Sequence, residues 1–317
     1  MLITGGAGFI GSHLVKSLVK KSNFDLVVLD NLVRGRLDLL RECSENIRFI
    51  HGDVRDRECV TEATRGIDIV FHLAAQSNVV GAGRNIDYSF TTNVVGTFEV
   101  LKAAKANGVG RVVFASSREV YGDAASLPVP EEAPLAAKNA YGASKIAGEA
   151  YCRVFSDAAM GINILRLANV YGPGDRDRVI PLFLEAAKRS DPIIIYGGRQ
   201  LLDFIWVDEV VKALHVAAFG PQLPGPINLG SGVGIAIRSL AERVLHSMNK
   251  QTPIRIEPAR EFETVRFVAD ISQARELLGF RPPEDPLFAL QGLADLYRPN
   301  AHDPTNKRNH LLAQSQD

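Results

Sequence analysis

The feature that most constrains this chain is its beginning, where Met1-Leu2-Ile3-Thr4 reads as a strand and runs into Gly5-Gly6-Ala7-Gly8-Phe9-Ile10-Gly11. Gly6, Gly8 and Gly11 satisfy G-x-G-x-x-G, while Gly5, Gly8 and Gly11 satisfy G-x-x-G-x-x-G. An amphipathic helix follows. Glycines in a strand–turn–helix unit permit a tight turn and close backbone approach, so that amides and the helix N-terminus can hold a pyrophosphate. Asp30 ends the second strand, about 20 residues past Gly11, where an acid accepts hydrogen bonds from an adenosine ribose and repels a 2′-phosphate. A dinucleotide is expected there, and NAD rather than NADP. Arg34 and Arg36 lie close by and read as surface charges.

The pattern that follows suits such a turn. Short β-like runs at 1–4, 25–30, 46–51, 68–73, 111–116 and 161–167 alternate with helical stretches near 9–21, 57–65, 85–107 and 139–160. The strands are near-continuous apolar runs, as expected when helices cover both faces of a parallel sheet. The fold class is therefore α/β, a doubly wound parallel (Rossmann) sheet with a smaller C-terminal α/β substrate lobe. Beyond residue 170 proline and glycine become denser. Residues 1–170, joined by about 196–225, are expected to form the NAD-binding domain. Residues 171–195 and 226–297 would form the lobe, and 300–317 a loose polar tail.

Lysine plus arginine and aspartate plus glutamate number 36 each, so no net charge steers the protein toward nucleic acid or an acidic membrane. No charged-then-apolar leader and no apolar run of about 18 residues occurs, so secretion and membrane insertion are not expected. Cys43, Cys59 and Cys152 are far apart and form no CxxC pair, which fits a reducing cytosol rather than disulfides or zinc. The histidines show no metal spacing, and His13 reads as a surface or packing residue. Phe204 and Trp206 fit a buried strand.

Tyr141 and Lys145, in Asn139-Ala140-Tyr141-Gly142-Ala143-Ser144-Lys145, share one face of a predicted helix. A phenol of pKa about 10 is a poor base at neutral pH. A nearby ammonium, helped by a positive nicotinamide ring, would stabilise the phenolate so that it can take a proton from a sugar hydroxyl as hydride leaves the same carbon. A hydroxyl at the end of the fifth strand should complete the set, and Phe114-Ala115-Ser116-Ser117 supplies Ser117.

These residues resemble the extended short-chain dehydrogenase/reductases, specifically the NAD-dependent nucleotide-sugar epimerase/dehydratase family, over about residues 1–297. The resemblance implies that Gly5, Gly8, Phe9, Ile10, Gly11, Asp30 and Asn31 hold the cofactor. Asp53 and Val54 would meet its adenine end, and Leu73, Ala74 and Ala75, in His72-Leu73-Ala74-Ala75-Gln76, would line it, with Tyr141 and Lys145 beside it. Asn93 corresponds to the family's structural asparagine. For substrate the resemblance implies Gln76, Ser117, Glu119, Asn169, Arg199, Arg260 and Phe267, the last gating room around the sugar. Leu202 replaces an arginine that such proteins place on the substrate diphosphate, leaving Arg199 to compensate or the substrate held differently. Arg118 stands where the 4,6-dehydratases have an acid, while Glu119 is retained. Glu119 reads either as an acid–base group or as a carboxylate paired with Arg118.

The expected activity is C4 epimerisation of a nucleotide-diphosphate hexose, in the manner of the family's UDP-glucose/UDP-galactose enzymes, with a homodimer built on helices 85–107 and 139–160. A lyase using Glu119 is the alternative, and a non-catalytic NAD-binding protein a third reading. The complete set Ser117, Tyr141 and Lys145 disfavours the third.

Overall fold

In the computed structural model, which describes residues 1–21 and 24–298, the N-terminal strand β1 (Leu2–Thr4) lies inside the seven-stranded sheet rather than at its edge. It pairs in parallel with β2 (Leu26–Asp30) on one side. Beyond that lies β3 (Ile47–His51). On the other side stand β4 (Ile69–His72), β5 (Arg111–Ser117) and β6 (Gly161–Leu167), again parallel. The strand order reverses beside β1, and that is where open α/β sheets bind ligands. Alternate residues enter two different apolar cores: Ile3, Val28, Phe71, Val113 and Leu165 pack on one face, Leu2, Leu29, Val70, Val112 and Phe114 on the other. This double burial is why the strands carry little polar alternation, and each such side chain contributes about 1.5–3 kcal/mol.

The covering helices are α1 (Phe9–Val19), α2 (Arg57–Ala63), α3 (Val79–Arg84), α4 (Ile86–Phe90), α5 (Gly96–Ala106) and α6 (Ala140–Phe155). The helix expected over 85–107 is present from Ile86 to Ala106, with a π-helical turn at Thr91–Val95 between α4 and α5. Asn85 is non-helical at φ −139°, and its side chain caps α4 by accepting from the Tyr88 amide at 2.9 Å. Residues 79–84, outside the expected helical stretches, are also helical.

Beyond β6 the chain builds a second layer. Strand β7 (Asn169–Tyr171) pairs with β9 (Leu201–Trp206), which also pairs with β11 (Gly234–Ala236) and β13 (Arg266–Phe267). A separate pair joins β8 (Ile193–Tyr196) and β12 (Ile254–Glu257). Helices α7 (Val179–Arg189), α9 (Ile237–Ser247) and α11 (Leu290–Tyr297) cover this layer, while α10 (Ser272–Leu278) returns to the first. Two strands lie on the opposite side of the expected boundary. β9, expected to return to the first layer, belongs to the second, whereas β10 (Ile227–Leu229) is the seventh strand of the large sheet, parallel to β6. The cause is α8 (Val207–Phe219), which packs on α1, β5 and β6 and carries the chain back before β10. The tail expected at 300–317 lies outside the described residues. Among those residues no helix is long and apolar enough to cross a membrane.

Candidate active site

One cavity of about 850 Å³ runs from the glycine turn, past the C-terminal ends of the strands, into the second layer. Its first wall is the turn. Gly5 has φ +71°, and a side chain there would lie 2.7 Å from the Ala74 amide nitrogen. A Cβ on Gly11 would strike the Gly5 carbonyl oxygen. Only glycine lets these backbones meet. Gly8 caps α1 with no side-chain hydrogen bond, so the first-turn amides carry no protein side-chain cap. Phe9 and Ile10 line the same wall.

Asp30 closes the adenosine end with its carboxylate buried. Oδ2 accepts the Ala7 amide at 3.0 Å and Oδ1 the Leu32 amide at 2.9 Å. Burial pushes its pKa up, and those two hydrogen bonds oppose the rise. Each oxygen keeps further acceptor capacity. Asn31, Val54, Leu73, Ala74, Ala75 and Gln76 also line the cavity. Asp53 does not: its carboxylate is taken by Arg55, at 2.8 and 2.9 Å, and by Asn31 Nδ2 at 2.8 Å. Burial alone would raise the Asp53 pKa, but those hydrogen bonds bring it down to about 2. Asp53 thus positions Asn31. Asn93, on the π-turn, accepts the Gln76 amide at 2.7 Å and donates to Gln76 O and Ser144 Oγ, tying the end of β4 to α6.

At the centre Ser117, Tyr141 and Lys145 converge at the end of β5. Asn139 caps α6 through the Gly142 amide, setting Tyr141 in the first turn. Lys145 is buried, donates from Nζ to Ala115 O at 2.7 Å, and lies 5.8 Å from the centroid of the Tyr141 ring. Burial lowers its pKa to about 8, against the attraction of Cys152 and Glu149. Tyr141 is shifted the other way from the expectation. Burial raises its pKa, and the main opposing influences are Arg178, a hydrogen bond with Ser117, and Arg118 rather than Lys145.

The sugar end holds the remaining surprises. Glu119 lines the cavity, but both its oxygens are occupied: Oε1 by Arg118 Nη2 at 2.8 Å, Oε2 by Asn139 Nδ2 at 2.8 Å and Thr264 Oγ1 at 3.1 Å. Asn169 lines it while donating to Asp203 O at 2.8 Å. Arg260 lines it, stacked 3.5 Å above Tyr196 and paired with Glu263. Two expected residues do not reach it. Arg199 is exposed on the turn between β8 and β9. Phe267 is fully buried in the first-layer core, stacked on Tyr121. Arg118 lines the cavity, 5.9 Å from the centroid of the Phe267 ring. Leu202 forms part of the wall, and Arg255 and Arg260 supply cations from the second layer. Sequence reasoning missed Arg176 and Arg178; their signal was the Arg176-Asp177-Arg178 run just past Gly174. Arg34, read as a surface charge, lines the cavity 3.5 Å from Asp177. His13 bridges Asp208 and Pro173 O, a packing role.

A profile of the NAD dependent epimerase/dehydratase family matches residues 1–230. The chain belongs to that family. It is similar to a putative UDP-glucose 4-epimerase of Methanocaldococcus jannaschii, 35% identical over 295 residues, or 90% of this chain and 94% of the relative. Among solved structures, the UDP-glucose 4-epimerase of Thermotoga maritima with UDP-glucose matches with a TM-score of 0.88 and 28% identity, over 93% of this chain and 97% of that one. The dTDP-glucose 4,6-dehydratase DesIV of Streptomyces venezuelae, with NAD and TYD bound, matches with a TM-score of 0.89 and 31% identity, over 94% and 97%. The resemblance read from the glycine turn and the Tyr–Lys pair therefore holds at family level, as does NAD as the family's cofactor. The residues present fit that cofactor. The side-chain-free approach at Gly5 and Gly11, the uncapped amides of α1 and the Asp30 carboxylate form one continuous wall.

Proposed function

We propose that this protein is an NAD-dependent 4-epimerase of a nucleotide-diphosphate hexose. The observation that carries this reading is the convergence of Ser117, Tyr141 and Lys145 in a cavity continuous with the glycine turn. NAD, when bound, supplies the acceptor and later the donor of hydride. Gly5, Gly8 and Gly11 hold its pyrophosphate, Asp30 and Asn31 its adenosine, and Leu73, Ala74 and Ala75 its inner edge. Ser117 orients the C4 hydroxyl, and Tyr141 removes its proton and later returns it. Lys145, fixed on Ala115 O, holds the cofactor ribose. Gln76 and Asn169 face the substrate, and Arg260 and Arg255 serve its diphosphate in place of the arginine that Leu202 replaces.

Tyr141→Phe keeps the ring and deletes the proton carrier. Expected turnover of an NDP-hexose falls by about 10²–10⁴, the scale of general acid–base catalysis, with NAD affinity retained. Full activity in that variant would sink the assignment.

A second reading, a lyase acting through Glu119, is favoured by the burial of that carboxylate against the cavity. Its pairing with Arg118, Asn139 and Thr264 favours the epimerase. Mass spectrometry of products separates the two, because an epimer conserves mass and loss of water or carbon dioxide does not. We further propose a homodimer packed through α4, α5 and α6, and a cytoplasmic location.

A further inference from the structure

Helix α6 carries both Tyr141 and Lys145 and lies hard against β5 and the short turn that follows it (Arg118–Val120). A Cβ on Gly142 would strike the Glu119 carbonyl oxygen, and one on Gly148 would lie 2.6 Å from the Phe114 ring. From this close-set helix two side chains reach back to consecutive residues of β5. Lys145 Nζ donates to Ala115 O at 2.7 Å. One turn further on, Glu149 Oε1 accepts from Ser116 Oγ at 2.5 Å. The next residue of the strand is Ser117.

Glu149 is wholly buried, and no step proposed above uses it. Arg166, directly opposite Ser116 on β6, grips it with two prongs, Nε to Oε1 at 2.9 Å and Nη2 to Oε2 at 2.8 Å. The guanidinium is itself fixed, since Nη1 donates to Tyr121 OH at 2.7 Å and to Glu131 O at 2.8 Å. Tyr121 in turn donates to Asn228 Oδ1 at 2.7 Å. Stability alone does not call for such a pair, because apolar side chains of similar volume often fill a buried site at no loss. Direction is what apolar packing cannot supply. Consecutive side chains of a strand leave opposite faces. Holding the Ser116 hydroxyl on α6 therefore aims Ser117 into the cavity, and the anchor belongs to the same helix that carries Tyr141.

We infer that Ser116 and Glu149 are positioning residues for the oxidation: their hydroxyl–carboxylate tie, locked by Arg166, sets the separation and aim of Ser117 and Tyr141. The inference rests on the C4-oxidation reading above. Both residues act through Ser117 and α6 rather than on the sugar.

The test uses the purified full chain with NAD and UDP-glucose, and compares Ser116→Ala, Glu149→Gln and the double variant with the wild type. Ser116→Ala is expected to lower kcat about tenfold while KM and the Kd of NAD stay within about twofold, because a misaligned pair harms the chemical step and not binding. The double variant should be no slower than the slower single one, since both changes break one tie. A kcat within about twofold of wild type in Ser116→Ala overturns the inference, whatever happens to the urea midpoint. Additive losses in the double variant overturn it too. Glu149→Gln leaves Arg166 without its charge partner; should that variant not fold, Ser116→Ala decides alone. A second readout needs no turnover. NMR of tyrosine isotopically labelled at Cζ, assigned with Tyr141→Phe, follows ionisation of Tyr141. Loss of the Ser117 hydrogen bond should move that midpoint to higher pH in Ser116→Ala, and an unmoved midpoint overturns the inference. If the wild type turns over no NDP-hexose, the C4-oxidation reading fails, and this titration still decides whether Ser116 aligns Ser117 with Tyr141.

Discussion

His72 shows how one residue below the site sets a property of the whole enzyme. Its ring is buried between Thr4 Oγ1 at 2.7 Å and Thr97 Oγ1 at 2.9 Å. Burial, with help from the Lys145 charge, drops its pKa from 6.5 to about 3. A base whose folded pKa is depressed leaves stability intact above its unfolded pKa and loses it as pH falls toward the folded one. His72 should therefore remove up to about 1.4 kcal/mol per pH unit below about pH 6.5, because the unfolded chain binds the proton that the folded one refuses. His72→Gln, which can still bond both threonines, should flatten that acid limb; urea midpoints of the two proteins between about pH 4 and 7 measure the difference. Parallel limbs would show that the titration lies elsewhere. The histidine was visible in the sequence, but its burial was not. The same divide runs through the site. Gly5 and Gly11 were legible because the steric demand on them is local. Phe267, Arg199 and Arg34 were misjudged because cavity, core and solvent are indistinguishable until β13, the turn before β9 and the loop after β2 are placed in space.

At the scale of elements, the first six strands were legible almost to the residue, since burial on both faces forces apolar runs that end where the sheet ends. Between β4 and β5 the helix was legible, but the π-turn inside it was not. Its pattern is continuous, yet Asn85 caps a new start and the turn at Thr91–Val95 widens to π, with Thr97 Oγ1 bonding Asn93 O. Such turns recur at functional sites because they re-aim a side chain. Here the side chain is Asn93, which satisfies both the amide and the carbonyl of Gln76 and also meets Ser144. Asn93→Ala strands the Gln76 backbone groups in a poorly hydrated place. It should cost about 2–4 kcal/mol, from buried groups left without partners. Denaturant unfolding measures that cost, and a loss below about 0.5 kcal/mol, the scale of a surface substitution, would mean the π-turn is held by other contacts.

At the scale of the molecule, family membership was legible because the glycine turn, the Tyr–Lys pair and the β5 hydroxyl occupy one sheet in a fixed order. The partition between layers was less so: α8 and β10 return to the large sheet through packing on α1, β5 and β6, a decision made by three distant segments. Assembly is a further property of the whole. Helices α4 and α6 pack together and leave Ile86, Phe90, Tyr151 and Val154 in solvent, with Val154 75% and Phe90 55% exposed. Ile86 and Phe90 are one turn apart, as are Tyr151 and Val154, so each pair shares a helix face. Apolar side chains grouped this way mark an association surface more often than a free one. If two copies bury this face, as proposed, Val154→Glu places a charge inside the contact, and light scattering should find a monomer where the parent chain is a dimer. Leu296, 67% exposed on α11 in the second layer, is the control. Leu296→Glu should leave the mass unchanged, because it adds the same charge away from the proposed face. A dimer that survives Val154→Glu together with Phe90→Glu would place the interface on another surface.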